Sequence, residues 1–177
     1  SGSARHLINV DVLGENSNIY LNGAFLAGNN ETLDTLTRLN HIVPNSNSEQ
    51  NYRGVLLKKG KTAFQGKVVV STNAQKTIAG QSCKNLILEA GAEANVKPEL
   101  LIYADDVKCA HGATVGELDK EAYFYMLQRG IDPIMAHALL VNSFLGEVIE
   151  NIKQEDIKTH FESLIINWMH KTQERAS

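Results

Sequence analysis

Up to about residue 118 the apolar positions fall in short runs: Leu7 to Val12, Asn18 to Leu21, Gly54 to Leu57, Lys67 to Val70, Leu86 to Leu88 and Leu100 to Tyr103. The runs are rich in Val, Ile and Leu and are separated by Gly, Asn, Ser and Lys, which predicts strands punctuated by turns. Glu31 to Asn40 opens as a helix might, but it carries Thr32, Thr35 and Thr37 and continues into strand-like sequence, so a further strand is expected there. The stretch from Asn45 to Asn51 contains only Asn, Ser, Glu and Gln, and is expected to be a surface loop.

Within Arg53 to His111 the strands recur every 13 to 16 residues with no helix between them. That spacing fits an antiparallel sandwich or successive turns of a β-solenoid. Two details favour the solenoid. Asn and Gly recur at the corners, as at Gly60, Asn73, Gly80 and Asn85, and no Asn-Gly or Asp-Gly hairpin joins the later strands.

After Gly116 the period changes to that of helices. Asp119 caps a short helix ending near Arg129, where Gly130 supplies the left-handed residue that closes it. Asp132-Pro133 starts the next, a capping carboxylate followed by proline at the first helical position. Ile134, Ala138, Val141, Leu145, Val148 and Ile152 form one face of that helix. A third helix is expected from Glu155 to Lys171, with Ile157, Phe161, Leu164, Ile165, Trp168 and Met169 on one side, joined to the second by Asn151 to Gln154. The pattern therefore divides the chain into a β-region over 1–118 and a helical region over 119–177.

Composition narrows the function classes. The 177 residues carry a net charge of −3 from 17 basic and 20 acidic side chains, without the basic patch that a phosphate backbone requires. No apolar stretch approaches the roughly 18 residues of a membrane span, and the start Ser1-Gly2-Ser3-Ala4-Arg5 lacks the apolar core of a signal peptide. A soluble intracellular protein without nucleic-acid or membrane partners is expected. Two cysteines, Cys83 and Cys109, are too few for a disulfide framework, so reduced thiols are expected. With no initiating methionine, the chain is expected to start inside a longer protein.

Gly54 to Thr62 (Gly-Val-Leu-Leu-Lys-Lys-Gly-Lys-Thr) imitates a phosphate-binding loop, but it has five residues between its glycines where four are needed. It also feeds Ala63 to Val70, which reads as a strand, so Lys58, Lys59 and Lys61 are expected in a solvated turn. The densest polar cluster is Tyr103 to Gly116. On a strand, Cys109 and His111 share a face, with Asp105 or Val107 continuing the line. A thiolate beside an imidazole suits soft metals or iron–sulfur species, and an imidazolium would lower the thiol pKa. Two ligands are half a site, and no second Cys-His pair or paired CxxC completes it. The structural alternative is a small packed thiol and a histidine holding a buried hydrogen bond. Neither cysteine has the separate base and orienting group of a cysteine protease. Cys83 has Lys84 beside it, but strand neighbours point to opposite faces. His160 and His170 are expected in solvated positions.

Gly66 to Val70, Ala74 to Thr77, Asn85 to Leu88, Lys97 to Leu100, Tyr103 to Gly116 and Phe124 to Ile131 together resemble the SufB/SufD family of iron–sulfur cluster assembly proteins. The stretch Asp105 to Gly116 (DDVKCAHGATVG) is similar to the SufD branch. The resemblance implies a mainly β fold, a right-handed parallel β-helix (single-stranded solenoid) followed by a small C-terminal α-helical domain. It further implies a non-catalytic scaffold subunit that pairs with a SufB-like subunit through the β-helix and docks a SufC-like ATPase through the helices. It makes His111 and Cys109 candidates for cluster assembly at that interface. They would be ligands of transient iron or of a cluster shared with the partner, with no stably bound cofactor. Cys83 falls near the sulfur-accepting position of SufB proteins. The cytoplasm or the plastid stroma is the implied location. Lacking the first β-helix coils of a whole SufD protein, the chain is expected to form a homodimer in isolation. The alternative is a β-helix enzyme, an acyltransferase or polysaccharide lyase. The six-residue apolar period of the former is absent, and Asp105-Asp106 alone is thin for the latter.

Overall fold

The computed structural model describes residues 2–150 and 152–174, the last six of these as backbone only. Asn151, in the joining segment, and the side chains of Met169 and His170 lie outside what is described. The elements run β1 (Ser3–Val12), β2 (Asn18–Ala27), β3 (Thr32–His41), β4 (Asn47–Leu56), β5 (Lys61–Val70), β6 (Ile78–Ile87), β7 (Glu93–Ile102), β8 (Lys108–Gly116), α1 (Lys120–Gln128), α2 (Pro133–Ile149) and α3 (Glu155–Glu174).

The strands form two four-stranded sheets, β1-β3-β5-β7 and β2-β4-β6-β8. Every pairing is parallel and every strand skips its sequence neighbour, so the chain winds as a β-solenoid of about four turns. On the first sheet Ser3 pairs with Thr32, Thr32 with Lys61 and Lys61 with Glu93, steps of 29, 29 and 32 residues. On the second Asn18 pairs with Asn47, Asn47 with Ile78 and Ile78 with Lys108, steps of 29, 31 and 30. The solenoid thus holds and the sandwich does not, but of the four residues expected at corners only Gly60 and Asn73 lie there; Gly80 and Asn85 are inside β6, where Asn85 is one of the alternate positions that face the interior.

The turns bend through left-handed backbone that asparagine tolerates better than most residues. Asn16, Asn45 and Lys76 take positive φ at one set of corners, and Asn29, Asn30, Lys58, Lys59 and Gly91 at the other. Lys58 and Lys59 are therefore turn residues, and Lys61 opens β5 rather than a helix.

Alternate side chains point into the coil. β5 shows it as a strict alternation, with Thr62, Phe64, Gly66, Val68 and Val70 buried, whereas β4 is buried on both faces from Tyr52 to Leu56. Inside, Tyr52 and Phe64 lie with ring centroids 4.6 Å apart, beside the buried Cys83.

The expectation of a surface loop over Asn45 to Asn51 is corrected. Asn47–Leu56 is β4, and only Asn45 and Ser46 belong to the corner. Ser48 and Gln50 point inward and are buried. Polar side chains can line this interior because partners wait across it: Thr37 Oγ1 donates to Gln50 Oε1 at 2.8 Å, and the buried His41 ring lies between Ser46 Oγ and Ser48 Oγ.

The helices start as the sequence predicts. Asp119 accepts from the backbone N–H of Glu121 and Ala122 at 2.9 and 3.0 Å, and Gly130 takes φ +81°. Asp132 accepts from Ile134 and Met135, with Pro133 next to it. α2 ends at Ile149, before the predicted Ile152. Val141, Leu145, Val148 and Ile149 of α2 pack with Ile165 of α3 and Val55 on the outer face of β4. Burial of each such aliphatic side chain contributes roughly 1.5–3 kcal/mol. Arg53, outward-facing on the same strand, ion-pairs with Glu147 of α2 and lies 5.8 Å from the Phe144 ring centroid. Among the described residues, no helix is long and apolar enough to cross a membrane.

Candidate functional site

The register decides where the sequence candidates point. Cys109 pairs with Ala79 and His111 with Gln81. Ala79 and Gln81 are inward, buried positions of β6, so Cys109 and His111 both project along the inside of the coil. The structure brings these two together on one face, as their spacing implied. β8 is the last strand of its sheet, so this face is the open mouth of the solenoid, and among the described residues its outer backbone edge has no partner strand.

Their environments differ. Cys109 is half-buried, against the cluster of Val68, Val70, Ala74 and Ala79. Burial pushes its thiol up, and a backbone hydrogen bond at Ala79 acts the other way. The expected lowering by a neighbouring imidazolium is not what dominates. His111 is exposed at the mouth. Of the residues expected to continue the line, Val107 packs beside Cys109, whereas Asp105 is exposed at the corner. At that corner Gln75 Oε1 accepts from the Asp106 N–H at 2.9 Å, and Lys76 N–H donates to the Asp106 carbonyl at 2.6 Å.

Cys83 lies one rung back, inward and 1% exposed. Burial raises its thiol to about 11, against weaker opposing effects of the Asn85 hydrogen bond and the Arg53 charge. Lys84 points the other way, its Nζ 4.0 Å from Glu147. Cys83 pairs with Ala113 and not with Cys109, so the two thiols occupy different columns of the interior.

Behind His111 runs a column that sequence reading missed. Leu21, Gln50, Gln81 and His111 are successive register partners on the inner face of the second sheet. A lone glutamine in a strand carries no motif. The 30-residue step back from His111 to Gln81 was the available signal, once the coil length is known. Among the described residues, no group of three or more His, Cys, Asp and Glu side chains is placed to hold a metal ion. The Cys109–His111 pair has the donors of a soft-metal site and half its number.

A family model, SUF system FeS cluster assembly, SufBD core domain, matches residues 1–144. The chain belongs to the SufB/SufD family. Within it, the chain is 38% identical over 154 residues to the iron-sulfur cluster assembly protein SufD of Escherichia coli strain K12, covering 87% of this chain and 36% of that protein. It is 37% identical over 155 residues to protein ABCI7, chloroplastic, of Arabidopsis thaliana, covering 87% of this chain and 33% of the relative. An iron-sulfur cluster assembly SufBD family protein of Synechocystis, slr0076, is 40% identical over 114 residues, which is 64% of this chain and 25% of that one. The chain thus spans about a third of the length of the first two relatives. These relatives support SufD-type membership within the family.

Proposed function

We propose that this chain is a non-catalytic scaffold region of a SUF-type assembly complex, in which His111 and Cys109 supply part of a ligand set completed by a SufB-like subunit. The observation that carries the reading is the placement of an imidazole and a thiol on the inward face of the last rung, at an open mouth with an unpaired edge. A partner strand laid along β8 would satisfy that edge and bring its own ligands to the mouth. Iron or a nascent cluster is cargo here: it is taken by soft and borderline donors, held transiently and passed on, with no cofactor resident on this chain.

The helices supply the second surface. α1 exposes Phe124 and Tyr125, α2 exposes Ile134 and Met135, and α3 exposes Ile157, Phe161 and Leu164. Such a set is suited to a SufC-like ATPase, which would bring the nucleotide site that this chain's imitation phosphate loop cannot form. The cytoplasm, or the stroma in a plastid-bearing organism, is the compartment that fits reduced cysteines and a chloroplastic relative.

The test is co-production of the protein with SufB-like and SufC-like subunits, comparing wild type with His111→Ala. The reading expects an intact complex whose cluster content, measured by iron and sulfide analysis and visible absorbance, falls several-fold in the variant. Unchanged cluster content in an intact complex would overturn it.

A further inference from the structure

Gln81 is 4% exposed, and neither its Nε2 nor its Oε1 has a hydrogen-bond partner. A buried amide with both functions unmet is costly, roughly 1–3 kcal/mol per group, and calls for an explanation. Its conformation is accommodated by the opposite sheet: a Cβ on Gly66 would sit 1.5 Å from Gln81 Nε2, so only glycine there lets the amide lie across the coil. One rung behind, Gln50 has its oxygen engaged by Thr37 and its Nε2 unpartnered. One rung ahead, in the same inward column, stands His111. Parallel strands about 4.8 Å apart place such register partners side by side on one face.

We propose that Gln81 is a positioning residue for His111. The amide oxygen, unengaged in this structure and one rung beneath the ring, would accept the imidazole N–H after a change of side-chain rotamer, and this would hold the tautomer whose other nitrogen is turned out of the mouth. The inference rests on the reading of His111 as a ligand and deepens it, by assigning what orients the ring. The chemistry requires such a group. A neutral imidazole ligates through one nitrogen, and which one is set by the hydrogen bond that the other makes. An amide suits this role, since it accepts the N–H without adding charge behind the site.

The test reads the ring directly. With 15N-labelled histidine, long-range proton–nitrogen spectra report the tautomer of each imidazole, and His111→Gln identifies the His111 signals by their loss. The expected result is one dominant tautomer in the wild type, comparable populations of both in Gln81→Met, and one again in Gln81→Glu, which keeps an acceptor. Equal populations in the wild type, or the same single tautomer in Gln81→Met, would overturn the proposal. Should Gln81→Met fail to fold, the wild-type spectrum and Gln81→Glu still decide it.

In the assembled complex, Gln81→Met should weaken iron or cluster retention about 10- to 100-fold, with Gln81→Glu restoring most of it. Retention unchanged in Gln81→Met but lost in His111→Ala would count against Gln81. Retention unchanged in both would defeat the ligand reading itself, while the tautomer populations still judge whether Gln81 holds the ring.

Discussion

His41 lies wholly inside the coil, its Nδ1 2.7 Å from Ser46 Oγ and its Nε2 2.9 Å from Ser48 Oγ. Burial lowers its pKa from 6.5 to about 4. The sign follows from proton counting: between those values the unfolded chain binds a proton that the folded one refuses, so acid favours unfolding. The His41 contribution is complete above about pH 6.5 and is lost as pH falls towards 4. Unfolding stability should drop by about 2 kcal/mol between pH 7 and pH 5 from this residue, and urea titrations of wild type and His41→Gln at both pH values check it. The thiols give a second residue-level test. At pH 8 iodoacetamide should modify Cys109 at least about tenfold faster than Cys83, whose thiolate burial opposes strongly, as mass spectrometry of the native protein would show. At this scale the sequence disclosed a shared face for Cys109 and His111, because strand alternation is local. It did not disclose that His41 and Ser48 are bonded to each other, because that pairing depends on a corner folding the chain back.

Helix starts were legible, and polar strands were not. Asp119 and Asp132 are capping signals that act within three residues, so they show in sequence as clearly as in structure. Asp132→Ala should cost about 1 kcal/mol, read as a lower melting midpoint with loss of helical circular dichroism. The first half of β4 escaped notice because it is Asn-Ser-Glu-Gln-Asn and its buried members find partners on or beside β3, thirteen residues back at Thr37 for Gln50, whereas the run from Gly54 was read as a strand. The joint between sheet and helix rests on the same strand. Arg53, with its side chain 5% exposed, pairs with Glu147, packs on Phe144 and donates to the Tyr52 carbonyl at 3.1 Å. Removal of the carboxylate leaves a buried guanidinium without its counter-charge, but the carboxylate itself is half in solvent, so Glu147→Ala should destabilise by about 1 kcal/mol. A thermal melt followed at 222 nm checks this.

At the scale of the molecule, each sheet of the described residues has an edge strand on either side. β1 and β2 are terminal strands like β7 and β8, and beside them α2 and α3 leave a cavity of about 660 Å³ lined by His6, Ile8, Phe25 and Phe161 among others. Unpaired strand edges beside apolar side chains favour association. Light scattering of the isolated chain should report a dimer, and Ile8→Lys, which places an amine on the inner face of the first rung, should shift it to monomer. The order of strands and helices was readable from short-range patterns. The pairing of each strand with the next but one was not, since it links residues about 30 apart.

The coils vary from 29 to 32 residues, yet matched strands stay in register along their full length. All of that variation is therefore absorbed at the corners, as between Ile87 and Glu93. His111 and Gln81 are thus located by rung and column, the way a seat is located by row and number, and not by distance along the chain. Lengthening a corner would change the count of residues between them without moving either one, so this family could remodel its edges freely while the mouth keeps its address.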